Sequence, residues 1–253
     1  MNEAIRVDSL LLQNLLVFNL NYLVVSARTN YSLPVYLERN LRIAMNYKRS
    51  SVMEEKMQQN REMILLSARE LVAQGGFKDA QIQAIADRAG VSSGLVYRYF
   101  ENKNQVLIEV LNAAIHIEVN ILNDIAHTQL SALEKLDRAV TTFVKRAMNS
   151  PRLSYSLLFE PVDPQFELER FQSKQLIKES IIKILTEGRH SGEFIFEDLN
   201  TTALCIVGAM TFVVIEPLSI AKTKRFDKSY KEYFVKQIAD FCLQAVKVKH
   251  PQE

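Results

Sequence analysis

The sequence QIQAIADRAGVSSGLVYRYFENKNQVL, residues 81–107, constrains what this chain can fold into more than any other stretch. Ile82, Ile85, Ala86 and Ala89 recur at helical spacing and make one apolar stripe. Ala86 is small at a point where two helices must nearly touch. Gly90 suits the left-handed residue that ends a helix and turns the chain sharply. Val91 can then plug the corner, and Ser92 is a good N-cap for a second helix. In that second helix Val96 and Phe100 share a buried face, one turn apart. Gly94, Tyr97 and Arg98 lie on the far side, flanked by Ser93 and Leu95. A third helix opens at Asn102, with Gln105 placed close to a capping-box position.

Two short helices joined by a glycine turn make a helix-turn-helix, whose second helix lies in a DNA major groove. Gly94 costs a helix interior roughly 1 kcal/mol relative to alanine. A bare patch on an exposed face is useful where a bulky duplex must come close. Tyr97 and Tyr99 offer hydroxyls to phosphate oxygens and Arg98 offers charge. Lys103 sits in the first turn of the third helix, where a cation opposes the helix dipole; a phosphate bound there resolves the conflict. Taken singly, each of these residues is ordinary surface or core, and glycine-turn helix pairs occur in folds that never meet nucleic acid. Their combination is hard to explain as packing.

Ile85-Ala86, Ala89-Gly90-Val91-Ser92, Gly94, Tyr97, Tyr99-Phe100, Lys103 and Leu107 follow the pattern IAxxAGVSxGxxYxYFxxKxxL. On these residues the stretch resembles the DNA-binding domain of the TetR (tetracycline-repressor-like) family of bacterial transcription factors. The resemblance implies an all-α fold: an N-terminal three-helix helix-turn-helix domain, then a helical ligand-binding and dimerisation domain, with DNA released on ligand binding. Carried over by position, Gln83, Ser92, Ser93, Gly94, Leu95, Tyr97, Arg98, Tyr99 and Lys103 form the DNA-binding set. Two features depart from the pattern. Ala80 and Gln81 replace the usual threonines, which removes a capping and phosphate contact. Leu95 stands where a smaller or polar residue is common, and either meets a thymine methyl or packs.

Upstream, Ile64, Leu65, Ala68, Leu71 and Val72 make a helical stripe that ends at Gly75-Gly76. With 48% hydrophobic residues, 253 residues are ample for a small head and a larger body. Only 7 Gly and 6 Pro signal few turns, and no βαβ or hairpin pattern stands out. The expected division is an N-terminal extension over 1–52, a helix-turn-helix domain over 53–107, and a ligand-binding and dimerisation domain over 108–253. Within the last, helices are expected near 104–125, 132–149, 152–160, 164–188, 198–220 and 227–247, with a loop at 187–192. A net charge of +2 argues for local phosphate contacts by paired heads rather than a broad basic surface.

The helix over 198–220 is apolar nearly all round, more than a surface helix needs. Its burial against a second copy makes a homodimer through Cys205, Gly208, Ala209, Phe234 and Phe241; a monomer with one deeply buried helix is the plainer alternative. Dimeric readers of this kind span half-sites about 34–36 Å apart. Met148, Tyr155, Leu158, Phe159, Phe166, Phe171, Ile177, Met210 and Phe212 can surround a pocket for a hydrophobic small-molecule effector, although such a stripe is more often plain core. Glu160 and Asp163 either recognise a polar end of that molecule or cap helices. Coupling would then be mechanical and reciprocal: effector shifts the helix beginning at Asn102, and the two readers lose register.

Residues 9–27 carry no charge but hold four amide side chains, which makes them a poor membrane span and a poor signal segment. A start near Met53 fits the resemblance better; an anchoring or oligomerising segment is the second reading. Cys205 and Cys242 are isolated in apolar helical contexts and read as buried thiols of a cytoplasmic protein. No cofactor or metal is expected. The four histidines are scattered, and no GxSxG, CxxC, HExxH or phosphate-cradling loop occurs. An enzyme is thus disfavoured, and a helical adaptor binding only protein stays the other alternative.

Overall fold

The computed structural model describes residues 35–220 and 227–248, with side chains described over 52–218 and 227–246. The uncharged run at 9–27 lies outside the described residues. The chain divides into two compact units, Met1–Glu62 and Met63–Glu253. Helix α1 is Val35–Gly75, beginning well upstream of the apolar stripe that marks it in the sequence. In the second unit the stripe's Ile64, Ala68 and Val72 are fully buried. Helices α2 (Ile82–Ala89) and α3 (Ser93–Tyr99) complete a small head.

The body comprises α4 (Lys103–Ala126), α5 (Ala132–Asn149), α6 (Pro151–Phe159), α7 (Pro164–Ser191), α8 (Leu199–Phe212), α9 (Ile215–Ile220) and α10 (Lys228–Gln244). The all-α class holds, with one small addition: β1 (Phe194–Ile195) pairs antiparallel with β2 (Lys247–Val248). Helix starts follow local chemistry. Ser131 and Glu134 form a full capping box on α5, and Asp163 accepts from Gln165 and Phe166 N–H at 3.0 and 3.2 Å to start α7 behind Pro164. Asp163 is thus a cap.

Two expected boundaries are corrected. The loop at 187–192 is helix: α7 runs on to Ser191 and stops at Gly192, whose φ of 76° is left-handed. Tertiary contacts hold that last turn. Glu187 grips the buried Lys135 ammonium at 2.6 and 2.8 Å, and Gly188 lies so close to the Phe194 ring that an added Cβ would come within 2.1 Å of it. The single helix over 198–220 is broken at Val213–Val214, splitting α8 from α9. Pro217 is the cause, since it has no N–H to offer and its ring clashes with the carbonyl one turn back.

Among the described residues two stretches, Lys103–Ala126 and Leu199–Leu218, are long and apolar enough to cross a membrane, at mean hydropathy 1.4 and 1.8. In the body α4 instead packs against α5 and α7, and α8 against α5, α7 and α10. Cys242 is buried, and that burial pushes its thiol up to about 12. Cys205 is exposed on α8, contrary to its expected burial, because α8 turns part of its apolar surface to solvent.

Candidate nucleic-acid interface

Within the head, Ile82, Ile85, Ala86, Val96 and Phe100 are buried together with Ile64, Ala68 and Val72 of α1. Gly90 has φ 67° and returns its N–H to the end of α2. Ser92 caps α3 by accepting the Leu95 N–H at 3.1 Å. The α2 N-cap position, Gln81, makes no side-chain cap, and its amide instead reaches the Lys78 carbonyl at 2.8 Å. Asn102 caps α4 by accepting the Gln105 N–H at 3.0 Å. Gln105 reaches back to the Glu101 N–H at 2.6 Å, one residue short of a true capping box.

With Val96 and Phe100 turned inward, Gly94, Tyr97 and Arg98 are exposed on the opposite side of α3. A Cβ on Gly94 would meet only Ser92 Oγ, at 3.8 Å, so the helix is bare there. Gln83 of α2 is brought to the same edge, accepting from Ser93 Oγ at 2.8 Å and donating to Asp87 at 2.7 Å. Ser92 is exposed, whereas Leu95 and Tyr99 are half-buried, Tyr99 packing against the core. Lys103 is half-buried at the first turn of α4. Burial pushes its ammonium below the ordinary lysine range, and the Glu160 carboxylate pulls the other way.

Residues 64–110 match the model of bacterial regulatory proteins, tetR family. That segment is a DNA-reading domain of the tetR type. The chain is a DNA-binding transcriptional regulator. Among its relatives is the fatty acid metabolism regulator protein of Bacillus subtilis (strain 168), 28% identical over 133 residues, which are 51% of this chain and 68% of that one. Two solved structures share the fold. The fatty acid degradation regulator FadR from Bacillus halodurans has a TM-score of 0.65 at 23% identity, over 75% of this chain and 97% of that one. FadR from Bacillus subtilis, in complex with stearoyl-CoA, has a TM-score of 0.64 at 20% identity, over 74% and 99% of the two chains.

In the regulator's body a cavity of about 230 Å³ opens between α1, α4, α5, α6 and α7. Of the nine residues expected to line a pocket, it takes Leu158 and Ile177, joined by Ala114, Ile115, Phe143, Leu153 and Leu157. Phe166, Met148 and Met210 are packed into the core, Tyr155 and Phe159 are half-buried, and Phe171 and Phe212 are exposed. Periodicity marks an apolar face but not which part of it is left unfilled. The polar rim of the cavity was not legible in the sequence: Arg69, Asn149, and Arg146 paired with Glu118 at 2.9 and 3.2 Å.

Of the residues expected at a dimer contact, Cys205, Gly208 and Phe241 are exposed, while Ala209 and Phe234 are half-buried. Leu204 and Phe212 of α8 and Tyr233 of α10 are exposed beside them. Among the described residues, no three of His, Cys, Asp and Glu come together to hold a metal ion. His127 places Nδ1 2.6 Å from the Asn123 carbonyl at the end of α4.

Glu160 is the residue whose place sequence reasoning missed. Its carboxylate accepts the Phe77 N–H with both oxygens, each at 3.1 Å, across 83 residues of chain. No local pattern signals such a pair.

Proposed function

We propose that the regulator is a homodimeric repressor that grips a pseudo-palindromic operator with two heads and lets go when a hydrophobic small molecule fills its body. The observation that carries the reading is the exposed side of α3. It is bare at Gly94, flanked by Tyr97 and Arg98, and continued through Ser93 to Gln83 of α2. Gln83 and Leu95 face base edges, and Ser92, Ser93, Tyr97, Arg98, Tyr99 and Lys103 serve phosphates and register. The heads occupy 53–107 and the sensing and pairing body 108–253. The setting is cytoplasmic, and the chain carries out no catalysis.

The second copy docks on α8 and α10. Leu204 and Phe212 are 60% and 64% exposed, Tyr233 and Phe241 61% and 59%, and open space surrounds Gly208. Such an apolar face on a soluble head-and-body protein marks a partner surface. The effector enters the cavity beside Leu153, Leu157 and Leu158. At about 230 Å³ the cavity is below the roughly 300–1,000 Å³ usual for drug-sized ligands, so a small apolar molecule fits and a longer one must push the walls apart. The stearoyl-CoA held by the Bacillus subtilis FadR structure supports an acyl derivative as the first class to try.

Selection of duplexes from a randomised library by the purified protein at moderate salt tests the core of this reading. Recovery of an inverted repeat, released on addition of an apolar effector, is the expected outcome. Uniform recovery of all sequences by effector-free protein refutes it.

A further inference from the structure

The turn that joins α1 to α2 is held by the body at three points. Gly75 C=O accepts from Arg152 Nη2 at 2.9 Å. Phe77 N–H is shared by the two Glu160 oxygens. The Phe77 ring packs edge-on against Phe166 of α7, with centroids 5.1 Å apart. Between them Gly76 has φ 86°, and a Cβ there would fall 2.3 Å from the Arg152 guanidinium and 2.6 Å from the Glu160 carboxylate. The turn is thus built to admit these two side chains.

Both belong to one short element. Arg152 lies at the start of α6 and Glu160 is its C-cap, and they face each other at 3.8 Å. Glu160 is itself braced: the buried Arg170 donates to its carbonyl at 2.8 Å, and to the Leu157 and Ser156 carbonyls at 2.8 and 3.2 Å. The same carboxylate is felt by Lys103 at the opening of α4. Meanwhile Leu153, Ser154, Leu157 and Leu158 of the same helix form a wall of the cavity.

We infer that Arg152 and Glu160 form a clamp by which α6 sets the orientation of the DNA-reading head on the body. A nine-residue helix that walls the cavity and grips the head at both of its own ends moves the clamp whenever the wall is displaced. Charge-assisted hydrogen bonds are short-ranged and directional, so a small shift of α6 releases the turn outright instead of bending it. This rests on the regulatory reading above and names the positioning residues within it. Arg152 and Glu160 act through the turn and touch no DNA.

Spin labels on Arg138→Cys, exposed on α5, and on Arg98→Cys, in a Cys205→Ser background diluted with unlabelled protein, report head against body without any DNA. The wild-type background should give one narrow distance. Glu160→Ala should broaden it or add a second distance, and should speed amide exchange at Phe77 roughly tenfold, as loss of one charged hydrogen bond allows. Glu160→Gln, which keeps an acceptor, should fall between. In protein without the labelling substitutions, Glu160→Ala should lose discrimination between the selected operator and one with an inserted base pair, while affinity for a single half-site stays within twofold. A distance distribution, exchange rate and spacing preference unchanged by Glu160→Ala overturn the clamp, as does rescue-free loss of the whole fold in Glu160→Gln by thermal melting. If the wild-type protein selects no duplex, the regulatory reading fails instead, and the distance and exchange measurements still judge the clamp.

Discussion

Replacing Lys103 by methionine separates a functional lysine from a structural one, because the two roles have opposite signs. The aliphatic stem is half-buried and methionine preserves it. The ammonium stands in the first turn of α4, where a cation opposes the dipole by about 0.3–1 kcal/mol. Burial disfavours the charge further, with Glu160 giving part of it back. Lys103→Met should therefore stabilise the fold by a few tenths of a kcal/mol and raise the melting temperature by about 1–3 °C in a chain of this size. On the proposed reading the same change removes one phosphate contact per head. The slope of log affinity against log salt should then fall by about 0.9 for one head and about 1.8 for a two-headed complex.

The pH dependence has a definite sign. The folded value lies below the ordinary 10.5, so between the two the unfolded chain binds more protons than the folded one, and wild-type stability gains a rising component as pH approaches 10.5. The methionine variant lacks it. Calorimetry and salt-dependent titration on a selected operator measure both arms. A lower melting temperature with an unchanged salt slope would refute the reasoning and make Lys103 a packing residue.

Gly94→Ala should stabilise α3 by about 0.5–1 kcal/mol, since its Cβ meets only an ordinary contact at 3.8 Å, yet weaken operator binding in a direct titration; unaltered affinity would show that no duplex approaches there. Arg170→Ala strips donors from three carbonyls at 2.8–3.2 Å and should cost about 3–5 kcal/mol by chemical denaturation, whereas a loss below about 1 kcal/mol would mean that water replaces it without strain. Phe241→Asp places a charge on a face that is 59% exposed; ultracentrifugation should show monomers that keep their helicity and bind half-sites only, and an intact dimer would move the pairing surface elsewhere.

How much of this was legible beforehand depends on the range of the contact. In the head almost everything was, because its decisive interactions lie within a few residues of one another. Gly90 turns left-handed and Ser92 caps Leu95 as their residue types predict. Asn102 caps α4, and Val96 and Phe100 bury as a pair. The starts of α5 and α7 were equally local, written in a capping box and an Asp-Pro pair.

Long-range contacts decided the remainder, and no periodicity could encode them. Gly188 and Gly192 look alike as helix breakers, but only Gly192 breaks α7; Gly188 stays helical, and its glycine is there because the Phe194 ring fills the space where a side chain would stand. An apolar stripe says which face is buried, not where packing leaves a void, so Phe171 and Phe212 lie at the surface while Arg69 and Arg146 rim the cavity. Glu160 carries no signature of its partnership with Phe77, since the two meet only when α6 and the α1–α2 turn are already in place. Composition and spacing therefore determined the helical class and the reading head, where short-range hydrogen bonds suffice. Folding alone chose the cavity's walls and the grip between head and body, because those depend on which distant side chains reach the same point in space.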